Sequence, residues 1–332
     1  MATAPLMLYG AAGYSLGLAA ERLQAAGISF IIGGRTESKV KAKAAALGVS
    51  YRIFSADDEP AAIDEALSGL KLFVNGAGPF HNTCEQFMDA CIRKGVHYTD
   101  ISAELNSLNT AITRDAAAKE AGVMLIPSAC SGMEVMLDCI GGLLLQKAQN
   151  PVRLEHTMNI NGPVSRGTVG TIRGFKPEAV KRVGGELVPH PGEEPHEVDF
   201  RDGRGPLPRF PSNDPQIIGL WRALGVPNIS TYCVKTGGGF PTEELESVPE
   251  GPSENERKAT PYHLAFKITS SDGSITNAVA HTANGYDLTA MGTVEAAKAI
   301  LGDAVKPGFQ TPFSAWGGDY YKVFSGTTIE EY

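Results

Sequence analysis

Gly10, Gly13 and Gly17 follow directly on the apolar run Leu6–Tyr9, with Ala12, Tyr14 and Ser15 between them. A short strand that breaks into glycines and then opens a helix is how a chain receives a dinucleotide. The backbone turns tightly without side chains in the way, and the N–H groups of the helix's first turn face the pyrophosphate. Leu16 stands where the commonest spacing has a third glycine, and Gly17 comes one step late. The second apolar run ends in Gly33-Gly34-Arg35. Sheets that bind NAD carry an Asp or Glu here, which holds the ribose 2′-hydroxyl. This chain has an arginine instead. A guanidinium grips a 2′-phosphate through charge-assisted hydrogen bonds of roughly 1.5–3 kcal/mol, and Thr36, Ser38 and Lys39 add donors. The expected cofactor is NADPH/NADP.

Hydride transfer to a C=C, C=O or C=N bond leaves one atom that needs a proton and often an oxygen that needs a donor. Ligands of open parallel sheets bind outside the carboxyl ends of the strands, which selects Asn75–Phe80, Tyr98–Glu104 and Pro127–Glu134. Tyr98, Asp100 and Glu134 are the candidate catalytic residues, with Glu104 beside them. Tyr98 and Asp100 share a strand face. The plainer alternatives are a core aromatic with its hydroxyl tied off and a capping aspartate. Asn75, Gly76, Ala77, Gly78 and Pro79 let the chain approach the nicotinamide ribose closely, or simply form a tight turn. Phe80, Ser131, Met133, Arg166, Thr168 and Trp316 are the candidate substrate contacts. Arg166 and Thr168 open a helix whose start suits an anionic group, or which Ser165 merely caps. Trp316 closes an apolar pocket or anchors the tail. The histidines show no ligand spacing, so no metal is expected.

The elements that must position these residues alternate regularly at first. Strand-like runs recur at Leu6–Tyr9, Phe30–Gly33, Tyr51–Ser55, Leu72–Asn75, Tyr98–Ile101 and Val123–Ile126. Between them Glu59-Pro60 opens a helix that Gly69 stops, and Thr83 with Gln86 reads as a capping box before a helix that Gly95 stops. This alternation predicts an α/β fold with a Rossmann doubly wound parallel sheet. After Ala129 the rhythm changes. A helix over about 134–148, a strand at Arg153–Ile160 and a long irregular stretch over 184–215 follow. That stretch reads as a functional loop or as partly disordered. A strand at Asn228–Lys235 and a hairpin about Ser271-Asp272-Gly273 predict a second, mixed α/β domain containing an antiparallel sheet. A helix over Asp287–Leu301 and a loop-rich tail close the chain.

With 332 residues, 42% hydrophobic and 20% charged, the composition is that of an ordinary globular enzyme. A net charge of −8 without a basic cluster argues against nucleic acid. The apolar stretch over 123–145 is interrupted by Pro127, Glu134 and Asp138, so no membrane span is expected. The start lacks the basic flank of a signal peptide, and the cysteines number five, an odd count, which reads as free thiols in a reducing, cytoplasmic setting.

These motifs together resemble the saccharopine dehydrogenase-like oxidoreductases, in particular the trans-acting enoyl reductase branch. GAAGYSLG is similar to that family's GATGYTG, IIGGR to its LAGR, NGAGPF to its NCAGPF and GVHYTDISAE to its GVHYLDITGE. GYDLTA and PGFQTPFSAWGGDY match its tail pattern. The resemblance implies an NADP-binding Rossmann domain over 1–130, completed by a C-terminal helix and tail over 286–332. It also implies a substrate-binding and dimerisation domain over 131–285, a homodimer, and hydride transfer to a small, apolar, lipid- or polyketide-like substrate of secondary metabolism. One segment departs: SGMEVMLD (131–138) stands where the family has a GFDVVPSD-like run near the nicotinamide. Met133, Met136 and Leu137 make this segment more apolar. Two alternatives therefore stay open, a non-redox isomerase or cyclase on the same fold and a non-catalytic ligand-binding protein.

Overall fold

The computed structural model describes residues 4–174, 178–192 and 196–332; residues 193–195 of the stretch expected to be irregular lie outside them. The chain forms two compact units, Met1–Gly132 with Thr289–Ala315, and Met133–Leu288 with Trp316–Tyr332.

The first unit runs β1 (Leu6–Tyr9), α1 (Tyr14–Ala25), β2 (Ile31–Gly34), α2 (Glu37–Leu47), β3 (Tyr51–Ile53), α3 (Pro60–Leu67), β4 (Leu72–Asn75), α4 (Cys84–Lys94), β5 (His97–Asp100), α5 (Leu105–Thr113), α6 (Asp115–Glu120) and β6 (Met124–Ile126). Its sheet has the order β6-β5-β4-β1-β2-β3, with the short strand Gly308–Phe309 added outside β6. Every pairing is parallel. This is the doubly wound order whose reversal lies between β1 and β4. The inner strands read as unbroken apolar runs because both of their faces are covered, whereas the edge strand β3 is largely open. Tyr9, Phe54, Phe73 and Phe87 stack against one another on one face, with Tyr9 and Phe87 centroids 4.7 Å apart. The Tyr9 hydroxyl donates to the Phe54 carbonyl at 2.9 Å, and burial pushes its pKa up to about 12.

The expected capping box at α4 does not form: Thr83 precedes the helix without a side-chain cap. Its hydroxyl is used elsewhere, donating to the Ala77 carbonyl at 3.0 Å and accepting from the Asn75 amide at 3.0 Å. A neighbouring turn with unmet backbone groups competes successfully for it.

Next come α7 (Gly132–Lys147), β7 (Pro151–Asn161), α8 (Arg166–Gly174), β8 (Val180–Val183), β9 (Glu186–Pro189), β10 (His196–Val198), β11 (Leu207–Pro211), α9 (Gln216–Leu224), β12 (Asn228–Thr236), α10 (Glu254–Ala259), β13 (Tyr262–Ser270), β14 (Ile275–Thr282), α11 (Gly285–Leu301), β15 (Gly308–Phe309), α12 (Pro312–Trp316) and β16 (Thr328–Glu331). The second sheet has the order β10-β11-β12-β7-β13-β14-β16, with β8 pairing β12 and β9. It is mixed: β12 and β7 run parallel, and β13 is antiparallel to both β7 and β14. The stretch over 184–215 contains the strands β9, β10 and β11 rather than only loop. They lie towards the margin of the sheet and bury little, with only Val198 and Leu207 packing against a small core cluster, so no strong apolar alternation marks them.

The tail divides differently from the expected boundary. β16 pairs antiparallel with β14, and residues 316–332 belong to the second unit. Ladder hydrogen bonds to a strand edge decide this, and loop-rich sequence does not reveal which edge they use. Among the described residues no helix is long and apolar enough to cross a membrane.

Candidate functional site

β1, β2 and β4 are neighbours, and their carboxyl ends gather the residues expected at a dinucleotide. Gly10 has φ +91°, a conformation only glycine adopts freely. Its N–H donates to the Gly33 carbonyl at 2.8 Å, and Gly13 N–H returns to the Gly10 carbonyl at 2.9 Å. A Cβ on Gly10 would lie 3.1–3.3 Å from the backbone of Gly76 and Ala77, so the turns after β1 and β4 approach backbone to backbone. Ala12, Gly13, Tyr14 and Ser15 are open or half-open. The twelve-residue helix α1 begins at Gly13 with no side-chain cap bond and no acid in its first turn. Its first N–H groups therefore keep their pull on an anion.

Leu16 is buried against the turn after β4. It is 1% exposed, and a Cβ on Gly76 would come within 2.3 Å of its Cδ1. The third glycine of the usual motif permits close packing of helix against sheet. Here the helix carries the leucine, and the facing turn carries the glycine.

Arg35 lies just past β2 and, with Thr36, Ser38 and Lys39, is fully open. The one acid among them, Glu37, is paired with Lys41 at 2.6 Å. Arg35 makes no ion pair among the described residues.

Beneath the open residues Gly76–Pro79 lies a buried polar network. The Asn75 carboxamide accepts from Ala77 N–H at 3.0 Å and donates to the hydroxyls of Thr83 at 3.0 Å and Tyr98 at 3.2 Å. Tyr98 donates in turn to Asp100 Oδ2 at 2.9 Å. Asp100 Oδ1 accepts from Ser102 N–H at 3.0 Å and Ser128 N–H at 2.7 Å. Asn75, Tyr98 and Asp100 are all 0% exposed. Burial pushes the Tyr98 hydroxyl well above its ordinary range and raises Asp100 despite its donors. Tyr98 and Asp100, expected as acid–base groups, are enclosed and hydrogen-bonded to each other here, and they position the turn above them.

Phe80, expected as a substrate contact, follows this turn. It is buried, and its N–H donates to Glu104 Oε1 at 3.0 Å. Glu104 Oε2 takes the next N–H, of His81, at 3.1 Å. Tyr98→Phe should lower the stability of the chain by roughly 1–3 kcal/mol, because Asp100 loses a donor inside the core. Urea unfolding measures it, and an unchanged midpoint would remove Tyr98 from the network.

Sequence reasoning passed over two of these supports. Glu104 holds two backbone N–H groups in a segment weighed only for acid–base work. Ser128 stands at φ +64°, an unusual conformation for a non-glycine residue. It donates to Asp100, and its carbonyl accepts from Ser131 N–H at 3.0 Å. Neither role has a local sequence signal, because both partners are distant in the chain.

The remaining candidates belong to the second unit. Arg166 is partly committed, its Nε donating to the Val248 carbonyl at 2.7 Å. The Thr168 hydroxyl lies 3.1 Å from that of Ser165 and 3.0 Å from that of Tyr286, and its N–H is capped by Ser165 at 3.2 Å. Ser165 thus caps the helix start, the plainer of the two expectations for this segment. Trp316 stacks on Tyr320 with centroids 4.5 Å apart, and Met133 is buried. Glu134 is 2% exposed and accepts from the Gln216 amide at 3.1 Å. Its carboxyl is pushed well above the usual range by burial, and further by the charge of Asp214.

Residues 6–126 match the family model described as the saccharopine dehydrogenase NADP binding domain. The first unit carries a nicotinamide-cofactor-binding domain. The glycine turn, the α1 terminus and the Asn75–Pro79 turn all fall within this NADP-binding domain. No curated protein matches the chain in sequence. Among solved structures it is similar to a saccharopine dehydrogenase (L-Glu forming) from Saccharomyces cerevisiae, at 12% identity over 98% of this chain and 99% of that one, with a TM-score of 0.65. That likeness is one of fold across both units. A probable dehydrogenase from Thermotoga maritima aligns over 94% of this chain and 93% of its own at 13% identity, with a TM-score of 0.48.

Proposed function

We propose that the chain is an NADPH-dependent reductase acting on a C=C, C=O or C=N bond of a small, largely apolar substrate, in the manner of an enoyl reductase. The observation that carries this reading is the open Arg35 at the end of β2, where NAD-binding sheets place an acid. Bound NADPH supplies a hydride. The first-turn N–H groups of α1 with Ala12, Gly13, Tyr14 and Ser15 would hold the pyrophosphate, Arg35 and Lys39 the 2′-phosphate, and the turn from Asn75 to Pro79 the nicotinamide ribose. Asn75, Tyr98 and Asp100 keep that turn rigid from below, which fixes the cofactor's reactive end without further ordering on binding. The similarity of NGAGPF and GVHYTDISAE to the enoyl reductase branch supports the choice of reaction and of an apolar substrate.

Titration of the purified protein with NADPH and with NADH, followed by nicotinamide fluorescence, tests the reading. NADPH should bind at least about tenfold more tightly, since the phosphate contact contributes roughly 1.5–3 kcal/mol. Equal affinities would remove the 2′-phosphate from the argument, and no binding of either would overturn the reductase reading.

A further inference from the structure

The second unit encloses a polar cluster that the cofactor-binding domain does not use. Glu134 and Asp138 come from α7, Asp214 and Gln216 from the start of α9, and His156 from β7 opposite Thr231 of β12. Glu134, His156, Asp214 and Gln216 are each 4% exposed or less. Gln216 Nε2 donates to both the carbonyl and the carboxylate of Glu134, each at 3.1 Å. Asp214 Oδ2 accepts from the Ser212 hydroxyl at 2.9 Å and faces His156 Nδ1 at 3.7 Å. Both ring nitrogens of His156 and the Gln216 Oε1 atom have no hydrogen-bond partner. Buried polar groups of native proteins rarely stay unsatisfied, so this cluster has unmet capacity for a proton and a water.

The charges around it bear on what that capacity holds. Asp138 lies on the same helix as Glu134, and Cys233 on β12 senses Asp214. The cation acting on His156 is Arg209 of β11, and its guanidinium is already paired with Glu155 at 2.6 Å and laid over the Tyr232 ring. Burial pushes His156 down to about 3, so the imidazole is neutral at physiological pH and does not balance the two acids. Two buried carboxylates without a cation of their own do not both ionise.

We propose that Glu134, Asp214, His156 and Gln216 form an internal acid site that keeps one shared proton, reached through water held by His156 and Gln216, inside the second unit at neutral pH. This deepens the reductase reading, on which the use of the proton rests: reduction of a double bond consumes one proton for each hydride. The proton leaves a carboxylic acid of the pair, which becomes a carboxylate and is refilled from solvent through its partner.

The site is tested without substrate or cofactor, so its failure and that of the reductase reading are separate results. At neutral pH the infrared spectrum of the whole chain should show a protonated carboxylic acid C=O band that shifts in D2O. The band should be lost or displaced in Glu134→Gln and in Asp214→Asn. The other enclosed carboxyls, Asp100, Asp138 and Glu104, stay in both variants, so the part of the band that a substitution removes or displaces belongs to the pair. No band in the wild-type chain, or a band indifferent to both substitutions, overturns the proposal; an absent wild-type band does so even where a variant does not fold.

The pH dependence of unfolding gives a second reading. Unfolded carboxyls titrate near 4, whereas Asp214 is raised to about 7 by burial. Between those values the native state keeps a proton that the unfolded chain gives up. The contribution of this proton to stability is therefore full below the unfolded value and falls as pH rises through the window. His156, held down to about 3 in the native state, opposes it below the ordinary imidazole value of 6.5, so the test is the difference between proteins: the wild-type unfolding constant should rise about tenfold more per pH unit than that of Asp214→Asn. An identical slope in wild type and variant would overturn the shared proton.

Discussion

Arg35→Asp is expected to weaken NADPH binding by at least tenfold and on the order of a hundredfold, while NADH binding changes little. Loss of a bidentate, charge-assisted contact accounts for roughly 1.5–3 kcal/mol, and each 1.4 kcal/mol is a factor of about ten in affinity. The new carboxylate adds repulsion of the 2′-phosphate and offers the 2′-hydroxyl of NADH the acceptor that NAD-binding sheets provide. The geometry favours a clean result. Arg35 is open and makes no ion pair among the described residues, so its replacement should leave the fold intact. Fluorescence titrations of both cofactors measure the effect. Equal losses for NADPH and NADH would show that Arg35 does not read the phosphate.

Gly76→Ala is expected to lower stability by roughly 1–3 kcal/mol through overpacking, because the added methyl lands 2.3 Å from Leu16 Cδ1 and 2.6 Å from its Cγ. Leu16→Ala alone should cost about 2–5 kcal/mol as a core truncation of a side chain 1% exposed. In the double variant the methyl added at position 76 enters the space the leucine leaves. The combined loss should therefore fall short of the sum by about 0.5–3 kcal/mol, as for residues in contact. Denaturant unfolding of the four proteins completes the cycle. Simple additivity would show that Leu16 and Gly76 do not meet, and would reopen the place of Leu16 in the dinucleotide turn.

The first unit was legible in the sequence almost element by element. Its inner strands are covered on both faces and read as apolar runs, and its helix ends carry Gly48 and Gly95 in the left-handed conformation that stops helices. The strands β9, β10 and β11 were not legible, because short marginal strands that bury only a residue or so each carry little hydrophobic period. That the chain's end from Trp316 goes with the second unit was not legible, since the ladder between β16 and β14 depends on which edge lies open.

For the site, residue type and local order were enough to mark the glycine turn, Arg35 and the Asn75–Pro79 turn, because each acts through backbone geometry or open charge within a few residues. The difference between a working acid and a structural one was decided only by the tertiary structure. Tyr98 and Asp100 have chemistry in their side chains but spend it on each other, on Asn75 and on Ser128, 28 residues further along. Glu134 meets Gln216 from 82 residues away, and beyond it Asp214 and His156. A sequence shows which groups can titrate. Which of them lose water, and which find a partner when they do, depends on contacts that only the folded chain makes.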